Sequence, residues 1–189
     1  MRRFLLPLLL VCSFYAYGKK EFGNGFIGLQ GGYQYNRADF NGQSYKGMSF
    51  VPQIFSGYGW IKDQSYYGVE GSIGYDSFSR KKESSKLEKS WVLDGSFRIG
   101  KVIRSHFLPF IRIGAGYQSY TLRLEKTRSS FGAYMAFLGF GVDAFIHEDF
   151  SIRSEFLHGR TVGFSRLKSS AHKKPLHSTL IMSLSYHFS

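Results

Sequence analysis

The chain has 189 residues, a formal charge of +12 at neutral pH, 43% hydrophobic and 18% aromatic residues, 22 glycines and a single cysteine. One cysteine excludes a disulfide framework and a multi-thiolate metal site. Abundant Gly beside Tyr, Phe and Trp argues against a helical domain and for strands, because Gly weakens helices and aromatics suit a pleated surface.

Arg2 and Arg3 precede an apolar run over residues 4–11, and Ala16 and Gly18 have the spacing of a peptidase site. Residues 1–18 therefore read as a cleavable signal peptide. The run contains Pro7 and falls well short of the roughly 20 apolar residues of a spanning helix. Cys12 lies in this segment behind Val11, which is not the small residue that lipid attachment favours. The mature chain, residues 19–189, is expected to be one domain without thiol chemistry. It has no dividing linker and no apolar stretch long enough for a transmembrane helix.

Eight segments of about ten residues then alternate apolar and small or polar residues, the period and length of a tilted bilayer-crossing strand. The first sets Ile27, Leu29, Tyr33 and Tyr35 against Gly28, Gln30, Gly32 and Gln34. The second sets Phe50, Ile54, Tyr58 and Trp60 against Ser49, Gln53 and Gly57, and the third Tyr67, Val69, Ile73 and Tyr75 against Gly68, Glu70, Ser72 and Asp76. In the fourth, Trp91, Leu93, Phe97 and Ile99 oppose Asp94, Ser96 and Arg98; in the fifth, Ile111, Ile113, Ala115 and Tyr117 oppose Arg112, Gly114, Gly116 and Gln118. The sixth has Tyr134, Leu138, Phe140 and Val142 against Gly139, Gly141 and Asp143, and the seventh Phe150, Ile152 and Phe156 against Ser151, Arg153 and Glu155. The last sets Leu180, Met182, Leu184, Tyr186 and Phe188 against Thr179, Ser183, Ser185 and His187.

Small and polar residues suit the inside of a narrow barrel, and an apolar band with aromatic ends suits lipid. The expected fold is all-β: an eight-stranded antiparallel up-and-down transmembrane β-barrel, closed so that no strand edge meets lipid. Short connectors at residues 61–66, 101–107 and 145–149 are assigned to the periplasm. Longer polar ones at residues 36–47, 79–89, 121–130 and 158–175 are assigned to the outside.

The opening Gly25-Phe-Ile-Gly-Leu-Gln-Gly-Gly-Tyr33, the third-strand Tyr67-Gly-Val-Glu-Gly-Ser-Ile-Gly-Tyr75 and the central Pro109-Phe-Ile-Arg-Ile-Gly-Ala-Gly-Tyr117 recur in style through Gly139-Phe-Gly-Val-Asp143 and Phe150-Ser-Ile-Arg-Ser-Glu-Phe156. In combination they resemble the small OmpA-like or Opa-like outer-membrane β-barrel family over essentially the whole mature chain. The Lys-rich and aromatic-rich style is similar to small outer-membrane proteins of Helicobacter-like bacteria. The resemblance implies export to the bacterial outer membrane, with membrane lipid, lipopolysaccharide and the barrel-assembly machinery as partners. Tyr186 and Phe188 look like the aromatic assembly signal, although Ser189 departs from the family's aromatic ending. Family members serve as adhesins, surface antigens, structural anchors, narrow pores and, in a few cases, lipid-modifying enzymes, so the fold leaves activity open.

Two residue groups stand out. Glu70, Asp94, Arg98, Arg112, Asp143, Arg153 and Glu155 form an expected inward charge network. A turn centred near Ser84 would set Glu70 opposite Arg98, and one near Glu148 would set Asp143 opposite Arg153. The outer connectors carry Arg80, Lys81, Lys82, Lys86, Arg160, Arg166, Lys168, Lys173 and Lys174, joined by Arg123 and Arg128. Basic loops are often simply solvated, but positive charge beside an outer leaflet rich in phosphate points to polyanions, of lipopolysaccharide or of a host surface.

Other chemistry finds little support. His147, His158, His172, His177 and His187 lack metal-ligand spacing and read as loop or rim residues. Asp76 with Ser77, or His158 with Ser178, offers no base oriented by a third group. No phosphate-binding loop occurs, and export makes a nucleic-acid role for the positive charge improbable. The expected protein is non-enzymatic and free of cofactors, contributing to envelope structure and presenting basic loops for lipopolysaccharide or host contact, with a narrow solute channel as the alternative.

Overall fold

The computed structural model describes residues 22–40, 43–82, 85–124, 127–165 and 173–188. The signal-peptide assignment of residues 1–18 falls outside them, as do Arg166, Lys168 and Ser189. Nine strand segments follow one another: β1 Asn24–Phe40, β2 Gln43–Lys62, β3 Ser65–Tyr75, β4 Ser79–Lys82, β5 Ser85–Lys101, β6 Phe107–Leu124, β7 Thr127–His147, β8 Phe150–Ser165 and β9 Lys173–His187. Every pairing is antiparallel, and the pairings of β1 with β9 and β3 with β5 close the ring. Because β3 and β4 both pair with β5, they are two pieces of a single third crossing, and the ring has eight strands.

The interruption at residues 76–78 is tied down on both sides. Asp76 N donates to Ser90 O, Ser77 N to Phe50 O and Phe78 N to Asp76 Oδ1. It also corrects the register expected for Glu70. That residue lies opposite Ser96, and Arg98 lies opposite Gly68. The β4–β5 pairing centres the hairpin between residues 83 and 84, and the interruption then offsets β3 by one further position. Asp143 does lie opposite Arg153.

Tight turns mark one end of the ring. Lys62 pairs with Ser65 across Asp63 and Gln64, both with positive φ, the paired left-handed geometry that matches the right-handed twist of a hairpin. At the other end, strand pairing runs on to Phe40 and Gln43, Lys82 and Ser85, and Leu124 and Thr127. Most of residues 36–47, 79–89 and 121–130 are thus hairpin extensions rather than loops. The reason is a hydrophobic interior at this end, where Ala38, Tyr45, Phe78, Leu87, Tyr120, Leu122, Phe131 and Ala133 pack together inside the ring.

The outside is apolar. Leu29, Trp91 and Phe140 are all more than 60% exposed, within a band that includes Ile54, Ile73, Ile111, Ile113, Leu138, Leu180 and Met182. Aromatic pairs border it: Tyr33 with Phe50, Tyr75 with Trp91 and Tyr117 with Tyr134 toward the hairpin extensions, and Trp60 with Tyr67 and Phe150 with Tyr186 toward the tight turns. An apolar belt between two aromatic girdles is the surface that a bilayer requires of a barrel.

Candidate functional site

Inward-facing side chains fill the ring. All seven residues of the expected charge network join one connected cluster. Glu70 is central: it lies 2.8 Å from Arg153, 3.2 Å from Arg112 and 3.5 Å from Arg98. Arg112 also reaches Asp94 at 2.9 Å and Glu155 at 3.1 Å, while Asp143 lies 3.3 Å from Arg153 and 3.4 Å from Arg98. Three guanidinium groups therefore face four carboxyls, and all of these side chains except Asp94 are at most 1% exposed. Buried charges of this kind need every partner they have.

Aromatic rings complete the cluster, and these the alternation left unassigned. Arg98 lies over Phe26 and Phe110, Arg112 over Phe137, and Arg153 over Phe55 at 4.7 Å. Tyr66 adds a hydroxyl that accepts from Arg98 at 3.0 Å. Inward glycines leave the room: a Cβ on Gly28 would fall 2.5 Å from the Phe55 ring, and one on Gly57 would fall 2.5 Å from Phe26. Strand parity could have found these rings, since Phe26 shares a face with Gly28, Phe55 with Gln53 and Phe110 with Arg112.

A second polar group lies toward the hairpin extensions. Lys89, fully buried, donates to Asn36 at 2.5 Å and lies 3.2 Å from Asp76, between the rings of Phe78 and Tyr120. Gln34 donates to Asp76 at 3.0 Å and accepts from Thr179. A cavity of about 40 Å³, bordered by Gln34, Gln53, Asp94, Gln118 and His177 among others, separates this group from the arginines. It has room for a few waters. Both mouths carry apolar plugs: the interior of the hairpin extensions at one end, and Phe22, Tyr66, Leu108, Phe110 and Phe145 at the other.

The histidines require a correction. His147 and His158 are exposed, but His177 and His187 are buried and point inward, because each shares strand parity with Thr179 and Ser185. His187 Nε2 lies 3.0 Å from Ser151 Oγ. Among the described residues no group of three or more His, Cys, Asp or Glu could hold a metal ion. His158 Nδ1 and Ser178 Oγ meet at 2.9 Å on the outer surface, and no carboxylate is hydrogen-bonded to His158 among the described residues.

The basic residues gather at the strand ends opposite the tight turns. Lys81, Lys86, Arg123 and Arg128 face outward on β4 to β7. Arg80 is exposed and packs toward Gly47, on the inward side of its strand. Arg160 shares an outward row with Leu176, Arg37 and Lys46. Lys82 and Lys173 occupy strand-end backbone positions opposite Ser85 and Asp39, with Lys174 next in sequence. Glu88 lies among the outward cations; a hydrogen bond from Lys86, reinforced by the charge of Arg123, holds its carboxyl below the usual carboxylate range.

Tyr186 and Phe188 point outward at the tight-turn end, 5.4 Å apart, and Phe188 N donates to Gly25 O at 2.9 Å. The family model described as outer membrane protein beta-barrel domain matches residues 4–188. The chain belongs to this family. As an outer-membrane β-barrel it is similar to a 22 kDa outer membrane protein of Rhizobium leguminosarum bv. viciae, with 31% identity over 136 residues, which cover 68% of this chain and 60% of that protein. The match thus spans less than two-thirds of that relative.

Among solved structures, the barrel is similar to Neisserial surface protein A, NspA, at 14% identity and a TM-score of 0.59, covering 86% of this chain and 97% of that one. It is also similar to Ail, the attachment invasion locus protein of Yersinia pestis, solved with the heparin analogue sucrose octasulfate. There the identity is 16% and the TM-score 0.57, covering 87% of this chain and 99% of that one. At such identities the likeness is one of fold.

Proposed function

We propose that this outer-membrane barrel is a non-enzymatic surface protein that stiffens the envelope and contacts phosphate- or sulfate-bearing polymers through its basic outer hairpins. Those polymers are lipopolysaccharide of its own membrane and polyanions of a host surface. The observation that carries the reading is the gathering of Arg37, Lys46, Arg80, Lys81, Lys86, Arg123, Arg128 and Arg160 at one end of the ring, with Glu88 in their midst. Arg and Lys there would engage phosphate or sulfate oxygens by charge-assisted hydrogen bonds. That the similar barrel of Ail was solved with a heparin analogue supports the same chemistry here. The outward Tyr186 and Phe188 fit recognition by the barrel-assembly machinery during insertion.

The test compares wild type with a protein carrying Lys81→Gln, Lys82→Gln, Arg166→Gln and Lys168→Gln, both folded, for heparin and lipopolysaccharide binding at low and moderate salt. Wild type should bind both ligands, more weakly as salt rises, and the variant should bind less at low salt. Equal binding by the two proteins rejects the reading.

A further inference from the structure

The outward face of β4 to β7 carries an arrangement that solvation alone does not account for. Lys81 lies directly opposite Lys86, Lys86 opposite Arg123, and Arg123 opposite Arg128. Four cations on four adjacent strands thus form one cross-strand row, about 14 Å long at the ordinary strand spacing. Like charges directly opposite one another destabilise a sheet, and this row contains three such juxtapositions in succession.

Glu88, two positions along the same face, relieves only part of the repulsion: it lies 2.6 Å from Lys86 and 2.9 Å from Arg123. Lys81 and Arg128 form no ion pair among the described residues, and both are exposed. The next row toward the membrane sets three hydroxyls around Glu88, with Ser79 opposite Glu88, Glu88 opposite Thr121 and Thr121 opposite Ser130. Thr121 Oγ1 and Ser130 Oγ lie 3.2 Å apart.

Height and direction select the ligand. Arg123 lies six residues beyond Tyr117 of the aromatic girdle, and Arg128 lies six residues before Tyr134. At the usual rise and tilt of a barrel strand, the row stands about 15 Å above that girdle, at the level of sugars projecting from the outer leaflet. It faces sideways, so a soluble polymer arriving from above meets the hairpin tips first, whereas the headgroup of a neighbouring lipid stands beside it.

We infer that Lys81, Lys86, Arg123 and Arg128 form a binding site for the phosphorylated sugar headgroup of a lipopolysaccharide molecule packed against the barrel, with the hydroxyl row below them meeting its sugar hydroxyls. The inference rests on the polyanion reading and gives it a location and a ligand.

The test measures binding of intact and enzymatically dephosphorylated lipopolysaccharide, and of heparin, to the full protein in detergent. One variant removes the row (Lys81→Gln, Lys86→Gln, Arg123→Gln, Arg128→Gln). A second changes the cations between residues 160 and 174 (Arg160→Gln, Arg166→Gln, Lys168→Gln, Lys173→Gln, Lys174→Gln). A third keeps the charge of the row (Lys81→Arg, Lys86→Arg, Arg123→Lys, Arg128→Lys), and heat-modifiable migration on gels confirms folding. The row variant should lose about tenfold in affinity for intact lipopolysaccharide at low salt, dephosphorylation should weaken wild type similarly, and the charge-keeping variant should bind like wild type.

A loss under about threefold in the row variant overturns the site. If the second variant alone loses lipopolysaccharide, the row is wrong while the polyanion reading stands. Heparin and lipopolysaccharide lost equally from the row variant overturns the assignment to membrane lipid. Both ligands retained by both variants overturns the site and the polyanion reading together.

Discussion

Glu70 on β3 and Arg153 on β8 stand four strands apart in either direction around the ring, and their side chains meet across the lumen at 2.8 Å. An ion pair spanning the full diameter requires a narrow barrel, and it ties opposite walls together. Glu70→Ala leaves three guanidinium groups short of a partner and should cost about 3–5 kcal/mol. Glu70→Leu with Arg153→Met should cost less than the two single changes added together, by more than about 1 kcal/mol. Urea unfolding in lipid vesicles measures both; additivity of the two changes would show that the pair is not coupled.

Gly57 and Phe26 supply a packing test. Ala at position 57 would drive its Cβ against the Val69 carbonyl oxygen and into the Phe26 ring that covers Arg98, costing about 1–3 kcal/mol by overpacking. Adding Phe26→Leu should recover part of that loss. The same unfolding assay decides, and a Gly57→Ala protein as stable as wild type contradicts the packing described.

Conductance follows from the two plugs and the arginine cluster between them. In planar bilayers the wild-type barrel should show no stable single-channel steps. Replacing Leu87 and Phe131 together by Ala thins the outer plug but leaves Glu70 and its arginines across the lumen, so that protein should stay closed as well. Reproducible steps whose frequency scales with the amount of wild-type protein would favour the channel alternative.

Topology is open to labelling. Lys62 and Lys101 lie at the tight-turn end and Lys86 lies in the opposite hairpin. On intact cells an impermeant thiol reagent should label Lys86→Cys and spare Lys62→Cys and Lys101→Cys. The reverse pattern would invert the barrel.

The outer surface was legible in the sequence because lipid imposes a strict rule: Ile111, Ile113 and Tyr117 had to be apolar and Arg112 had to turn away. The interior obeys no such rule, since it accepts Gly, Arg or Phe wherever volumes fit. That is why Phe26, Phe55, Phe110 and Phe137 escaped assignment although their parity placed them inside. Polarity likewise suggested loops at residues 36–47 and 121–130, where the alternation of Ala38, Tyr45, Tyr120 and Phe131 continues the strands. The Lys89–Asp76 pair was hidden because Lys89 fell at the end of the polar connector read over residues 79–89, although alternation had already turned Asp76 inward. Cross-strand alignment of Lys81, Lys86, Arg123 and Arg128 depends on register, which composition cannot reveal.

With β3 and β4 counted as one crossing, pairings around the ring join strands that are neighbours in sequence, except where β1 meets β9. There Phe26 lies opposite His187 and Gly32 opposite Ile181, so one seam carries nearly all the long loop closure of the fold. The hairpins can form by local pairing, but the seam must wait for both ends of the chain. It is therefore the natural gate of assembly, the last junction to be sewn once both ends of the chain are in place.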